Sequence, residues 1–328
     1  MESDYDMISI GDSTIDVFLE IDDWKILEDP DTKEKMLAIE SGAKIGVNKK
    51  TRIAAVGNSA NQAIGSARLG LKTGIYTHVG GDSDGKDMLE VFKAENVSTD
   101  FITIDKDQNS NFSTVVNYSG ERVIFVFHEH REYNLPTFPK SKWVYYSSMS
   151  KGHDILHKQI PDYIKSSGAK LGYNPGTFQL KEGITGEASI LEVTEVLILN
   201  REEAHHLVGG DKSDTKKLLN LLYDHGPKKV IITDARAGTF AFDGTQYLKC
   251  GIPEESPVVE RTGCGDAFST GLLAGLSYGK DLSEALIWGT LNSTSVVQFI
   301  GAREGLLTQK GIEEFGQKWR DSFKVENF

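Results

Sequence analysis

A chain of 328 residues with 39% hydrophobic side chains can bury one large α/β core or two smaller ones. Its 48 acids outweigh 36 Lys and Arg for a formal charge of −12, which repels phosphate backbones and anionic surfaces and excludes a general nucleic-acid or membrane-surface binder. Two cysteines, Cys250 and Cys264, supply neither a disulfide framework nor a metal cluster; with no signal peptide in Met1-Glu2-Ser3-Asp4 and no apolar run of spanning length, a cytoplasmic protein is expected.

Met7-Ile8-Ser9-Ile10-Gly11-Asp12 reads as a buried strand that ends in a glycine turn. From Asp16 to Ile53 the pattern changes to extended pieces with polar turns. Asn61 to Leu69 has helical apolar spacing, Lys72 to Val79 reads as a strand, and Gly85 to Asn96 as a helix. Phe112 to Tyr118 and Arg122 to Phe127 flank Ser119-Gly120-Glu121, a hairpin signal. Beyond residue 140 strands and helices alternate: Trp143–Ser147, Ala169–Tyr173, Glu195–Leu199 and Lys229–Thr233 are the strands. That rhythm predicts a mostly parallel sheet covered by helices. The extended regions at about 16–53 and 101–130 suit a small β-sheet inserted into one domain spanning residues 1–328.

Arg261-Thr262-Gly263-Cys264-Gly265-Asp266-Ala267-Phe268 places two glycines and an acid ahead of a helix-like run. Glycine lets backbone amides converge, and a helix start adds free N–H groups and a positive dipole end, so the segment can hold an anion. An aspartate beside an anion nest repels phosphate unless it has work to do. General-base chemistry at a transferring phosphoryl group supplies that work; a plain helix cap is the alternative.

Gly263-Cys264-Gly265-Asp266 resembles the Gly-Ala-Gly-Asp signature of ribokinase-like sugar and nucleoside kinases. Gly57-Asn58-Ser59-Ala60-Asn61 with Ala67-Arg68-Leu69-Gly70 resembles their N-terminal signature, and Asn200-Arg201-Glu202-Glu203 their Asn-x-x-Glu element. The three occur in the family's order, and weaker similarity runs from about Ile8 to about Leu307. The resemblance implies a three-layer α/β/α core with a β lid over the acceptor site, the lid often serving as a dimer interface. It implies that Asp266 is the base and that the amides of Gly263, Cys264 and Gly265 hold the transferring group. Asp12, Asp16, Gly57, Asn58 and Asn61 would bind the acceptor, the carboxylates and amides suiting hydroxyls. Asn200, Thr233, Gly238, Asn292 and Ser295 would line the nucleotide site. Glu203, with Asn200, would organise Mg²⁺ through water, an ion that needs few protein carboxylates.

The same spacing makes Asn200 and Glu203 a capping box. Val56 and Ala235 stand where relatives usually have glycine, and Glu260-Arg261 replaces a commoner Asp-Thr pair. Many relatives bind an activating monovalent cation there, so K⁺ is a candidate cofactor beside ATP and Mg²⁺. Cys264, at a helix start, is expected to have a lowered pKa and a reactive thiol. Gly80-Gly81-Asp82-Ser83-Asp84-Gly85-Lys86-Asp87 nearly spells a P-loop, but its acids oppose phosphate and predict a helix start instead. His153-Asp154-Ile155-Leu156-His157 imitates a zinc motif without a third ligand. The expected activity is ATP-dependent phosphorylation of a primary hydroxyl on a ribose- or fructose-like sugar. Two alternatives stand beside it: a nucleoside kinase, with Phe112, Tyr118 and Phe125 as a wall for the base, and a silent relative that senses a sugar phosphate or nucleotide.

Overall fold

Ten strands form the main sheet in the order β16-β15-β14-β13-β12-β11-β10-β1-β6-β7. They are β1 (Tyr5–Ile10), β6 (Thr73–Gly80), β7 (Val97–Asp105), β10 (Ser141–Tyr146), β11 (Lys170–Tyr173), β12 (Thr194–Asn200), β13 (Val230–Thr233), β14 (Thr239–Phe242), β15 (Tyr247–Cys250) and β16 (Val325–Asn327). A second sheet has the order β5-β2-β8-β9, from β2 (Thr14–Ile21), β5 (Val47–Val56), β8 (Phe112–Tyr118) and β9 (Glu121–Phe127). Between β2 and β5 a separate hairpin pairs β3 (Lys25–Glu28) with β4 (Lys35–Ala38). The computed structural model describes residues 4–22, 24–30, 35–118, 121–253, 256–319 and 322–328. The turn residues Ser119 and Gly120 and the side chain of Tyr118 lie outside the described part.

Strands from β7 to β13 in that order pair in parallel, so both faces of the sheet need cover, and the near-continuous apolar runs of β1 and β12 supply it. Alternate side chains go to opposite layers. Ile8, Ile10, Leu197 and Leu199 pack beneath α3 (Asp154–Ser167), α4 (Thr177–Lys181), α5 (Gly183–Leu191), α6 (Arg201–Val208) and α7 (Thr215–Tyr223). Met7, Tyr145, Val196 and Ile198 pack beneath α8 (Cys264–Ser277), α9 (Leu282–Val296) and α10 (Gln309–Trp319). Ile75 and Val79 meet α1 (Asn58–Arg68) and α2 (Ser83–Ala94) in a third cluster. This is the expected three-layer α/β/α core with a β lid.

Two features depart from the sequence reading. The second lid segment begins at Phe112, not near 101, because β7 pairs in parallel with β6 at the edge of the main sheet. An edge strand is half-solvated and alternates as a lid strand does. The strands β14 to β16 are antiparallel and extend the sheet past β13; runs of three or four residues carry too little pattern to be seen in sequence.

Asp82 caps α2 by accepting from the Gly85 amide at 2.8 Å, and it also holds Ser110, so the P-loop look-alike is a helix start. His153 and His157 lie in α3 and its approach, His157 against Tyr146 at 3.2 Å. Burial lowers the His157 pKa to about 4. Neither joins a metal cluster among the described residues.

Candidate active site

Gly263, ahead of α8, has φ 75°, in the left-handed region, and a Cβ there would collide with Ala302. Glycine is therefore required to turn the chain into this helix. At Gly265 nothing lies within 4 Å of where a Cβ would sit, and Cys264 and Gly265 line a cleft of about 210 Å³. The first-turn amides of an α-helix have no helical acceptor, so those of Gly265 and Asp266 suit an anion, the Gly265 amide being turned in this structure to the Cys264 thiol. The Cys264 amide is engaged with Arg261 O at 3.3 Å.

Asp266 accepts from Asn61 Nδ2 at 2.7 Å, across 205 positions of chain. Burial pushes its pKa up to about 6, the hydrogen bond from Asn61 opposes this, and the Glu203 charge adds to it. The carboxylate is ionised at neutral pH yet basic enough to take a proton.

The acceptor side is built where β1 ends. Asp12 is buried, its Oδ1 accepting from Tyr133 OH at 2.7 Å and its Oδ2 from the Ser150 amide at 2.7 Å. Gly57, at φ 104°, caps α1, and a Cβ on it would sit 2.9 Å from Asp12 O. Val56 is an ordinary end to β5, paired with Thr14, so the expected glycine is not needed there. Asn58 Nδ2 donates to Asn174 Oδ1 at 3.4 Å, and Tyr145 OH reaches the same oxygen at 3.3 Å. Asn61 is buried and its Oδ1 has no protein partner. Asp16, half-buried on β2, is pushed up to about 6 by burial, opposed by a hydrogen bond from Ser113 and reinforced by the charges of Asp266 and Glu260.

On the opposite side, Asn200 caps α6 by accepting from the Glu203 amide at 2.9 Å, and Glu203 Oε2 accepts from the Asn200 amide at 2.8 Å. Burial raises the Glu203 pKa, against that hydrogen bond. Among the described residues no group of three or more His, Cys, Asp or Glu forms a metal cage. Such a donor set fits an ion held chiefly by phosphates and water, with a single carboxylate at hand. Thr233 and Gly238 line the same cleft as Cys264. Gly238 has φ 91°, with the carbonyl of Cys250 where a Cβ would be. Ala235 keeps the left-handed turn with φ 42° despite its Cβ.

A model of the pfkB family of carbohydrate kinases matches residues 32–309. The chain belongs to this family. It is 27% identical over 251 residues to an uncharacterized sugar kinase of Archaeoglobus fulgidus, covering 74% of this chain and 98% of the relative. Among solved structures, Arabidopsis thaliana ribokinase complexed with ribose and ATP superposes with TM-score 0.79 at 19% identity, over 96% of this chain and 99% of that one. The nucleoside kinase of Methanocaldococcus jannaschii gives 0.77 at 18%, over 95% and 98%. This pfkB-family chain is thus a carbohydrate or nucleoside kinase, a phosphotransferase on the ribokinase-like fold.

Several residues of this kinase sit elsewhere than the sequence suggests. Asn292 is fully buried: its Nδ2 donates to Ala267 O at 2.8 Å and its Oδ1 accepts from the Leu307 amide at 2.9 Å. It fastens α9 to α8 and does not line the cleft. Ser295 is buried too; Thr290, Ser293, Thr294 and Val297 of this region form the cleft wall instead. Cys264 has a raised pKa, first from burial and then from the Asp266 charge, so the lowered value expected at a helix start is not found. Phe112 is 40% exposed and tilts against Phe127, ring centroids 5.6 Å apart, and Phe125 is 59% exposed. Asn174, Tyr133 and Ser150 were not singled out by sequence, though Asn174-Pro175-Gly176 after a strand is a turn signal that could have drawn attention to the first.

Proposed function

We propose that this kinase transfers the γ-phosphoryl group of ATP to a primary hydroxyl of a sugar. The observation that carries the reading is Asp266: a half-buried carboxylate with a pKa near 6, at the first turn of α8, bonded at 2.7 Å to Asn61 of the acceptor helix. It stands between an amide nest and a polar pocket. The acceptor hydroxyl gives its proton to Asp266 as its oxygen bonds to phosphorus; the bond from phosphorus to the β-phosphate oxygen breaks and its electron pair leaves with ADP. The free amides near Gly263 and Gly265 stabilise the charge on the transferring group. Asp16, Asn58 and Asn61 orient the acceptor, and Asp12 supports the pocket through Tyr133 and Ser150. Thr233, Gly238 and the α9 wall hold the nucleotide, and Asn200 with Glu203 would hold Mg²⁺ through water. That ion, when bound, neutralises phosphate charge.

The density of carboxylates and amides supports a polyol over a nucleoside, whose base asks for a continuous aromatic wall. An ADP-release assay tests the reading, with ATP and Mg²⁺ against ribose, fructose, sugar acids, adenosine, guanosine and cytidine, and Asp266→Asn as control. Sugar-dependent turnover lost in the variant is expected. Turnover with nucleosides alone would move the assignment to a nucleoside kinase, and nucleotide binding without turnover would move it to a sensor. Running the productive acceptor in K⁺ and then in Na⁺ buffer reads the monovalent-cation requirement.

A further inference from the structure

Arg122 lies at the start of β9, opposite Asn117 of β8, yet its guanidinium ends across the cleft from the lid. Its Nη1 donates to Glu260 Oε1 at 2.7 Å and to Thr262 Oγ1 at 2.7 Å. Those residues form the turn directly ahead of Gly263. Glu260 Oε1 also takes the Thr262 amide at 2.9 Å and the Thr262 hydroxyl at 2.6 Å, while its Oε2 is buried with no protein partner. One oxygen thus serves three donors, and each bond is weaker for the sharing. Arg122 is 40% exposed, so solvent screens the pair as well.

The charge around it says what the guanidinium could serve. Asp16, Glu203, Glu260 and Asp266 act on one another through the cleft. A triphosphate entering this cluster adds further negative charge, and helix-terminal amides carry only partial charges in return. Arg236 and Arg261 line the nucleotide cleft from the core. Arg122 comes instead from the lid, and its field reaches Cys264 in the nest.

We propose that Arg122 is a catalytic residue: with a nucleoside triphosphate bound, it leaves Glu260 and donates to oxygens of the transferring γ-phosphoryl group. This rests on the kinase reading above. Arg122 moves no proton and forms no covalent bond. The acceptor oxygen–phosphorus bond forms, the bond to ADP breaks with its electron pair, and the hydroxyl proton goes to Asp266 as before; the guanidinium offsets charge on the equatorial oxygens. Because the cation rides on the lid and already reaches the turn ahead of the nest, a lid drawn away from the core would withdraw it, which ties the lid's position to chemistry.

An anionic group on the acceptor would attract the same side chain, so the test omits the acceptor. Calorimetric titration of the full chain with MgADP and with the Mg²⁺ complex of the non-hydrolysable ATP analogue AMP-PNP compares wild type, Arg122→Gln and Arg122→Lys. The Gln variant is expected to keep its MgADP affinity within about twofold and to lose about tenfold for the analogue. The Lys variant should fall between, since it keeps the charge but not the planar fork. Retained MgADP binding reports that each variant is folded. If Arg122→Gln discriminates analogue from ADP as wild type does, the inference is overturned and the kinase reading stands. Wild type that binds neither nucleotide overturns both.

Discussion

Asp266 and Asp16 show how one physical cause yields two consequences. Both carboxyls are raised to about 6 by burial, each opposed by one hydrogen bond, and Asp16 is raised further by the charge of Asp266. They take up protons at a higher pH than free carboxyls, so activity should rise as pH climbs through about 6. Log kcat should fall with unit slope below that point, because Asp266 must be unprotonated. Log kcat/KM should fall more steeply, because Asp16 must also be charged to hold the acceptor; the apparent values belong to the pair. A pH–rate series with the productive sugar checks this, and profiles flat down to pH 4.5 would refute the assignment.

The same shifts bear on stability. The folded-state values exceed the unfolded ones, so the charged forms cost stability at pH 7, and that cost vanishes as pH falls from 6 towards 4. Asp266→Asn should lower kcat by about 10²- to 10⁴-fold while raising stability by about 1–2 kcal/mol. Differential scanning calorimetry beside the kinetic assay reads both, and an inactive variant with a depressed Tm would point to a structural role for the residue. Glu187 is a second buried acid, raised to about 7 by burial and bonded to Tyr173 OH at 2.5 Å, but it sits on the buried side of α5 and does not line the cleft.

Among the elements, the start of α8 is tightly constrained. Gly263→Ala would place a Cβ against Ala302 at φ 75°, a conformation that costs about 1–2 kcal/mol for a residue with a side chain, before the collision is counted. Relief requires the turn to move, and the nest amides move with it. The expected result is a kcat reduced at least as strongly as the stability loss, read by turnover and urea unfolding together; wild-type turnover in a folded Gly263→Ala protein would show that the nest does not hold the transferring group.

What sequence could reveal follows from range. The caps at Asp82 and Asn200 were legible because a cap is decided within four residues, and the strand rhythm after residue 140 was legible because buried parallel strands are apolar throughout. At α8 the sequence offered Asp266 as the cap, whereas the helix starts after Gly263 and Asp266 falls inside its first turn. The Asn61–Asp266 bond and the Arg122–Glu260 clasp join distant residues, and no local pattern foretells such pairs. Asn292 was misplaced for a related reason. On a helix as buried as α9, polar residues point into the core as well as the cleft, and spacing alone cannot tell Asn292 from Ser293.

For the whole molecule, the lid leaves an apolar edge exposed. Strand β9 is the outer edge of its sheet, and Ile124, Phe125 and Val126 are 45%, 59% and 56% exposed. An edge with an apolar face invites another sheet. We propose that two copies pair through their lids. Light scattering of wild type should report about twice the monomer mass, and Ile124→Lys with Val126→Lys should return the monomer; a wild-type monomer at micromolar concentration would rule this out.

The sheet order carries a consequence for the chain as it is made. Strand β1 is flanked by β6 and β10, yet Met7 and Tyr145 of this central group pack beneath α8, α9 and α10, which come from the last fifth of the sequence. Asp266 lies in the last fifth, and its partner Asn61 has waited through 205 residues of synthesis. The stretch of chain that covers the sheet on this side therefore also brings in Asp266, so the packing of this layer and the closing of the Asn61–Asp266 bond belong to one late event.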